Sequence, residues 1–104
     1  GREDDMIVSG GENVFPRPVE EALIALPEVR DAAVVGVPDS EYGQRLAAYI
    51  VLKPGTQLDA DAIRTHVHQR LARFAVPRDV VFVDALPRNA TGKVLKRVLE
   101  DGTW

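Results

Sequence analysis

A basic turn near the C-terminal end of the chain carries the side chain that is best placed for chemistry. Residues 86–97 read Leu-Pro-Arg-Asn-Ala-Thr-Gly-Lys-Val-Leu-Lys-Arg, and the proline, asparagine and glycine of this stretch are turn formers. Thr91 is predicted to cap a helix that continues through the apolar residues after it. This prediction places Lys93 in the first turn of that helix.

A lysine in the first turn of a helix is electrostatically awkward. The helix dipole disfavours a cation there by about 0.3–1 kcal/mol, whereas an anion is attracted to the same exposed N–H groups. The position of Lys93 is therefore explained if its ammonium group meets an anionic ligand. The local sequence alone favours the simpler alternative, a solvated surface lysine that tolerates a small penalty.

The first part of the chain predicts a hairpin, a helix and two strands. Apolar residues flank the pair Gly10-Gly11, as expected for a hairpin whose turn needs positive φ. A helix is predicted to begin near Pro16 and to end before Pro27, with Glu20 and Glu21 facing water. Continuous apolar runs of strand length follow at residues 32–37 and 46–52.

The second part of the chain predicts another helix and a third strand. Asp59 is predicted to cap this helix, with Leu58 and Ile63 forming a hydrophobic staple across its first turn. Its buried stripe is predicted to consist of Ile63, Val67, Leu71 and Phe74. His66 and His68 lack the additional ligands of a metal site, and we interpret them as helix-surface residues. A third apolar strand is predicted at residues 80–83.

This order of elements predicts one domain over residues 1–104. Two strands joined by a short loop pair antiparallel, and the third strand can join them after the intervening helix. We therefore expect an α+β fold in which a small antiparallel sheet of about three strands is covered by helices. The glycine-containing hairpin lies in the N-terminal segment, residues 1–15.

Charge is unevenly distributed along the 104 residues. Residues 1–61 hold 5 basic and 12 acidic residues, whereas residues 62–104 hold 8 basic and 4 acidic residues. The two parts can simply pack against each other, or the basic part can bind a phosphate-bearing ligand. The net charge of −3 and the scarcity of aromatic residues argue against a nucleic-acid interface.

No cysteine is present, which excludes disulfides and thiolate metal sites. No apolar run approaches the roughly 18 residues of a transmembrane helix.

Four motifs then resemble a known family. Residues 1–14 read Gly-Arg-Glu-Asp-Asp-Met-Ile-Val-Ser-Gly-Gly-Glu-Asn-Val, residues 35–39 read Val-Gly-Val-Pro-Asp, residues 76–78 read Val-Pro-Arg, and residues 86–93 end in Gly-Lys. In this order the motifs resemble the C-terminal domain of the adenylate-forming superfamily, which includes acyl-CoA synthetases, peptide-synthetase adenylation domains and beetle luciferases. The first motif is similar to the interdomain hinge of that superfamily. The resemblance covers essentially the whole chain.

The resemblance implies a two-step ligase that uses ATP and CoA as co-substrates. A carboxylate and ATP give an acyl-adenylate and pyrophosphate, and a thiol, usually that of CoA, then displaces AMP. The chain would rotate against a large N-terminal domain between the steps, with Asp4 as the hinge residue. Arg2 would reach the ribose region of the nucleotide, and Lys93 would bridge the substrate carboxylate and the α-phosphate. Mg²⁺ is expected to accompany ATP without being bound by this domain.

For the second step the resemblance implies contacts with CoA. The residues that would make them are Ser9, Gly10, Gly11, Phe74 and Arg78. The glycines would let the backbone approach the pantetheine arm, while Phe74 would stack on the nucleotide and Arg78 would pair with its phosphate. Related ligases often carry a basic residue where this chain has Ala75 or Val76, a departure that bears on these contacts. Phe74 is equally interpretable as the last core residue of its helix.

Two other functions stay open at this point. The chain could belong to an adenylation domain that loads a carrier protein, or it could be a standalone module that binds an acyl carrier or another protein through its basic face. The carboxylate pocket would lie in the N-terminal domain, so a fatty or aromatic acid is only the natural expectation. A cytoplasmic location is expected, and peripheral membrane association of the full enzyme is compatible with it.

Overall fold

The structure is a computed structural model that describes residues 6–102 and 104. Its elements in chain order are β1 (Ile7–Ser9), β2 (Glu12–Val14), α1 (Pro16–Ile24), β3 (Val29–Asp39), β4 (Gly43–Leu52), α2 (Ala60–Arg70), a short 3₁₀ helix (Arg73–Ala75), β5 (Asp79–Phe82) and α3 (Lys96–Glu100). This order confirms the predicted α+β class and the N-terminal hairpin. Arg2 and Asp4, to which the resemblance assigns roles, lie outside the described residues.

The sheet is centred on the long antiparallel pair of β3 and β4. Their pairing runs from Val29 opposite Leu52 to Asp39 opposite Gly43, as the short loop between them requires. β5 joins the other side of β4 in parallel, because α2 carries the chain back across the sheet before β5 begins. The hairpin β1–β2 also reaches β4, through Ser9 and Gly43. The described sheet therefore has five strands, and β3 forms one of its edges.

Both faces of this sheet are buried, which explains why β3 and β4 read as continuous apolar runs. Successive side chains of a strand point to opposite faces, so each strand contributes to two separate cores. The face covered by α1 and α2 buries, among others, Leu23, Val34, Leu46, Ile50 and Ile63. The opposite face buries Ala33, Val35, Ala47, Tyr49, Val51, Leu86 and Leu99. Leu86 and Leu99, in the segment that follows β5, thus pack against β3 and β4 in this second core.

Glu20 does not face water, so its predicted orientation is wrong. Its carboxylate is half-buried and accepts a hydrogen bond from the backbone N–H of Val34 at 2.8 Å. It also lies 2.9 Å from the ammonium group of Lys96. Glu21 is exposed as predicted and pairs with Arg17 one turn earlier. The Glu20 side chain points toward β3 because this edge strand has an outward N–H group, that of Val34, which needs a hydrogen-bond acceptor.

The interpretation of His66 as a surface residue is also wrong. His66 is 9% exposed, and its Nε2 lies 2.6 Å from the carbonyl oxygen of Ala22 in α1. Arg70 Nη1 lies 3.0 Å from the other ring nitrogen. The ring therefore connects α1 to α2, while His68 is exposed as predicted.

The predicted start of α2 is confirmed. Asp59 occupies the N-cap position, and its carboxylate accepts a hydrogen bond from the N–H of Ala62 at 2.8 Å. No helix within residues 6–102 is long and apolar enough to cross a membrane.

Candidate functional site

Residues 89–93 form a tight turn that presents Lys93. Asn89 Oδ1 accepts hydrogen bonds from the backbone N–H groups of Thr91 at 3.0 Å and Lys93 at 2.9 Å. It also accepts one from the Thr91 hydroxyl at 2.7 Å. Gly92 has a φ of +89°, and its N–H donates to the Asn89 carbonyl oxygen at 3.0 Å. One asparagine side chain therefore fixes the backbone on both sides of this glycine.

The prediction that Thr91 caps a helix is wrong. Helix α3 begins only at Lys96, and its N-cap residue, Leu95, makes no side-chain hydrogen bond. Asn89 has already engaged the N–H groups that a helix would use, and the left-handed Gly92 interrupts helical geometry. Lys93 consequently lies before the helix, and the dipole argument for its position does not apply.

The Lys93 side chain is nevertheless well placed to meet a ligand. It is exposed, and within the described residues no carboxylate forms an ion pair with its ammonium group. Two of the neighbouring cations in sequence form ion pairs elsewhere, Arg88 with Asp31 and Lys96 with Glu20. A free ammonium group binds a carboxylate or phosphate as a compact point charge.

A cavity of about 640 Å³ is the second feature that can hold a ligand. The hairpin, the loop between β3 and β4, α2 and the 3₁₀ helix converge to line it. Of the residues expected to contact CoA, Ser9, Gly10, Phe74 and Arg78 line this cavity. Gly11 is exposed beside them but is not part of the lining. The structure thus brings together two segments that are about 65 positions apart in the sequence.

Phe74 lines the cavity because α2 ends earlier than predicted. The helix ends at Arg70, and Leu71 adopts an extended conformation. The 3₁₀ helix that follows turns Phe74 outward, where it is 43% exposed, and places Ala75 in the core instead. The interpretation of Phe74 as the last core residue of its helix is wrong. An exposed aromatic ring beside a cavity can stack on a planar ligand.

Three arginines and one carboxylate, that of Glu12, line the cavity. The arginines are Arg64, Arg73 and Arg78. Arg64 donates to the carbonyl oxygens of Pro77 at 3.2 Å and Arg78 at 2.9 Å, which fixes the loop that carries Arg78. Guanidinium groups bind phosphate with two parallel hydrogen bonds, so the cavity is suited to an anionic ligand that also has apolar or aromatic parts.

Arg78 is held in place from two sides. Its guanidinium group lies 5.4 Å from the centroid of the Tyr42 ring, within the range of a cation–π interaction. It also lies 3.7 Å from Asp39. The N–H groups of Tyr42 and Glu41 donate to Asp39 Oδ1, both at 2.9 Å. These hydrogen bonds, with help from the nearby Arg78 and Arg45, hold the pKa of Asp39 below its ordinary value.

The Lys93 turn and the cavity lie on opposite faces of the sheet. The cavity is lined by Leu46 and Arg64, on the face that α1 and α2 cover. The turn lies between Leu86 and Leu99, which pack into the core of the other face. A small ligand therefore cannot contact both features at once.

The two features are also separated along β3. The Lys93 turn is connected by Arg88 to Asp31 near the start of this strand, whereas Asp39 beside the cavity ends it. At about 3.3 Å per residue these two aspartates are roughly 26 Å apart along the strand. The domain therefore carries two distinct candidate surfaces.

The sequence motifs do not mark four further residues that line the cavity, Tyr42, Leu46, Arg64 and Arg73. These residues lie on the β3–β4 loop, β4, α2 and the 3₁₀ helix, so their proximity depends on the assembled fold. Within residues 6–102 and 104 no group of three or more histidine, aspartate or glutamate residues is arranged to hold a metal ion.

Comparison with known proteins places this geometry in a family. Residues 18–93 match the model of the AMP-binding enzyme C-terminal domain. Over 97 residues, 93% of this chain and 19% of the relative, the chain is 52% identical to the 3-[(3aS,4S,7aS)-7a-methyl-1,5-dioxo-octahydro-1H-inden-4-yl]propanoyl:CoA ligase of Rhodococcus jostii (strain RHA1). Over 97 residues, again 93% of this chain and 19% of the relative, it is 44% identical to the long-chain-fatty-acid–CoA ligase FadD13 of Mycobacterium tuberculosis. The crystal structure of apo MatB from Rhodopseudomonas palustris superposes with a TM-score of 0.94 and 39% identity, over 98% of this chain and 20% of that chain.

These matches confirm the resemblance seen in the sequence motifs. The chain belongs to the family of AMP-binding enzyme C-terminal domains, the small domains of adenylate-forming enzymes. It spans about a fifth of the length of the relatives it matches.

Proposed function

We propose that this chain is the mobile C-terminal domain of a larger acid–thiol ligase of the acyl-CoA synthetase type. The complete enzyme joins a carboxylate to ATP, releasing pyrophosphate, and then transfers the acyl group from the adenylate to the thiol of CoA, releasing AMP. The observation that carries this proposal is the separation of Lys93 and the arginine-lined cavity on opposite faces of one sheet. Two faces serve two successive half-reactions if the domain turns between them.

In the adenylation step Lys93 acts by position and charge. The attacking carboxylate and the α-phosphate are both anionic, and negative charge builds on the phosphate oxygens as the new P–O bond forms. An ammonium group held between them offsets this repulsion and stabilises the transition state without exchanging a proton. Mg²⁺ accompanies ATP in this proposal, and its ligands lie outside this chain.

In the thioester step the rotated domain presents the cavity, instead of the Lys93 turn, to the active site. Ser9 and Gly10 lie beside the thiol arm, the ring of Phe74 stacks on the nucleotide, and Arg78 pairs with phosphate. Arg73 supplies a basic group near the position where related ligases carry one, whereas the Arg64 guanidinium group already contacts Asp61 and two carbonyl oxygens. Arg73 and Arg78 favour CoA over a carrier protein as the acceptor, because the nucleotide of CoA brings additional phosphates.

The remaining roles are assigned by motif position. Asp4 is the hinge residue, Arg2 contacts the nucleotide, and Gly11 supports the hairpin beside the thiol arm. The acyl group is selected by the N-terminal domain, which we expect to be the chain's main partner. We place the enzyme in the cytoplasm, where both ATP and CoA are supplied.

The proposal is tested by the products that the complete enzyme forms. Incubation with ATP, CoA and a panel of fatty and aromatic carboxylates should yield thioester together with AMP and pyrophosphate in equal amounts. Formation of ADP and phosphate, or AMP release without any dependence on CoA or a carboxylate, would contradict it.

A further inference from the structure

Two carboxylates lie along the outer edge of β3. Asp31 Oδ1 accepts a hydrogen bond from the N–H of Ala32 at 3.0 Å, and Glu20 Oε2 accepts one from the N–H of Val34 at 2.8 Å. These two N–H groups are at alternate positions of an edge strand, so they point away from β4. Each carboxylate therefore satisfies a backbone group that the sheet leaves open.

The same two carboxylates hold the two ends of the segment that contains Lys93. Arg88, before the turn, donates to Asp31 Oδ2, and Lys96, after the turn, lies 2.9 Å from Glu20 Oε2. The side chains of Glu20 and Lys96 are only 19% and 24% exposed, so this ion pair is less screened than a surface pair. Residues 89–95 thus lie between two charged contacts, one with Asp31 of β3 and one with Glu20 of α1, which is itself hydrogen-bonded to β3.

Arg88 extends this support to the turn itself. Its Nη1 donates to the carbonyl oxygen of Gly92 at 2.6 Å, in the peptide group that leads directly into Lys93. Its backbone also pairs with Val94. One guanidinium group therefore links the backbone beside Lys93 to a carboxylate on β3.

We propose that Asp31 and Glu20 are positioning residues that fix the Lys93 turn to the edge of β3 through Arg88 and Lys96. This inference rests on the proposed function, because it assigns their effect to the step in which Lys93 acts. Neither carboxylate contacts substrate. They hold the backbone on both sides of Lys93 at a fixed distance from the sheet, and a displacement of about 1 Å can reduce a reaction rate 100-fold.

The test uses the complete enzyme with Asp31→Asn or Glu20→Gln, each of which removes one charge and preserves shape. We expect the turnover number for adenylation, measured by pyrophosphate exchange, to fall about 10- to 100-fold. The KM values for ATP and carboxylate, and the rate of thioester formation from preformed acyl-adenylate, should stay within about twofold. Glu21→Gln is the matched control, because Glu21 is the adjacent residue of α1 and its only ion pair within the described part of the chain is with the exposed Arg17.

A second comparison separates positioning from general structural damage. In a Lys93→Ala background the same substitutions should reduce adenylation less than about twofold further, because residues that act through Lys93 lose their effect with it. An undiminished effect in that background would overturn the inference, as would variants that behave like Glu21→Gln. If Lys93→Ala itself leaves adenylation intact, the proposed function fails rather than this inference alone.

Discussion

The guanidinium group of Arg78 lies over the ring of Tyr42, 5.4 Å from its centroid, at the rim of the arginine-lined cavity. The contact presents a planar, fully charged group with few free rotamers to an incoming phosphate. Arg78→Ala removes the charge, and we expect the KM for CoA to rise about 10- to 100-fold. This factor corresponds to the loss of one charge-assisted hydrogen bond of about 1.5–3 kcal/mol. Arg78→Lys keeps the charge but loses the planar stacking, so its KM should rise only about two- to fivefold.

Both variants are measured in the thioester half-reaction, with adenylation as the internal control. Equal KM values for wild type and the two variants would remove Arg78 from the CoA site.

The glycines of the hairpin give a matched pair of variants. Gly10 and Gly11 have φ values of +59° and +83°, so an alanine at either position costs about 1–2 kcal/mol of stability. A Cβ at Gly10 would lie 3.3 Å from Tyr42 Cδ1, whereas one at Gly11 would meet no atom within 4 Å. We expect both variants to lower the free energy of urea unfolding by a similar amount.

Only Gly10→Ala should also raise the KM for CoA, because only it displaces the ring on which Arg78 rests. A larger effect of Gly11→Ala on the KM would show that the hairpin tip, rather than Tyr42, sets the shape of the site.

Asp39 makes the stability of the β3–β4 loop depend on pH. Its pKa is lowered by hydrogen bonds from Tyr42 and Glu41 and by the nearby arginines. A carboxyl whose pKa is lower in the folded state contributes stability fully above its unfolded pKa, near 3.9, and loses it as the pH falls through the folded pKa. The free energy of unfolding should therefore decline less steeply below about pH 4 in Asp39→Asn than in wild type.

Urea unfolding at several pH values between about 7 and 3 measures this difference, with Glu41→Gln, a change at an exposed neighbour, as the control. Parallel curves for wild type and Asp39→Asn would contradict the role of Asp39.

The elements of this fold could be predicted where a local pattern decides them. The prediction of β3, β4 and the N-cap at Asp59 is confirmed. Burial on both faces of a sheet requires a continuous apolar run, and an N-cap requires a side chain that accepts a hydrogen bond, so both are visible in the sequence. The parallel placement of β5 follows from the strand–helix–strand order that the sequence predicts. The inward turn of Glu20 could not be predicted, because it depends on which edge of the sheet is left open, and that is decided only when all strands are assembled.

The candidate site was predictable by motif and not by local physics. Lys93 does not lie in the first turn of a helix as predicted, because Asn89 forms a competing side-chain turn. The motifs nevertheless identified four residues that line the cavity. Tyr42, Arg64 and Arg73 were missed, since residues that only the assembled fold brings together carry no sequence signal of their own.

In the proposed function, two faces of one small domain serve two different half-reactions. The most direct measurement is the rate of each half-reaction in Lys93→Ala and Arg78→Ala variants of the complete enzyme. We predict that Lys93→Ala reduces adenylation about 100- to 1,000-fold and leaves thioester formation from preformed acyl-adenylate within about twofold, while Arg78→Ala impairs only the reaction with CoA. Variants that both impair the same half-reaction, or a Lys93→Ala enzyme that still forms adenylate at the wild-type rate, would contradict the account.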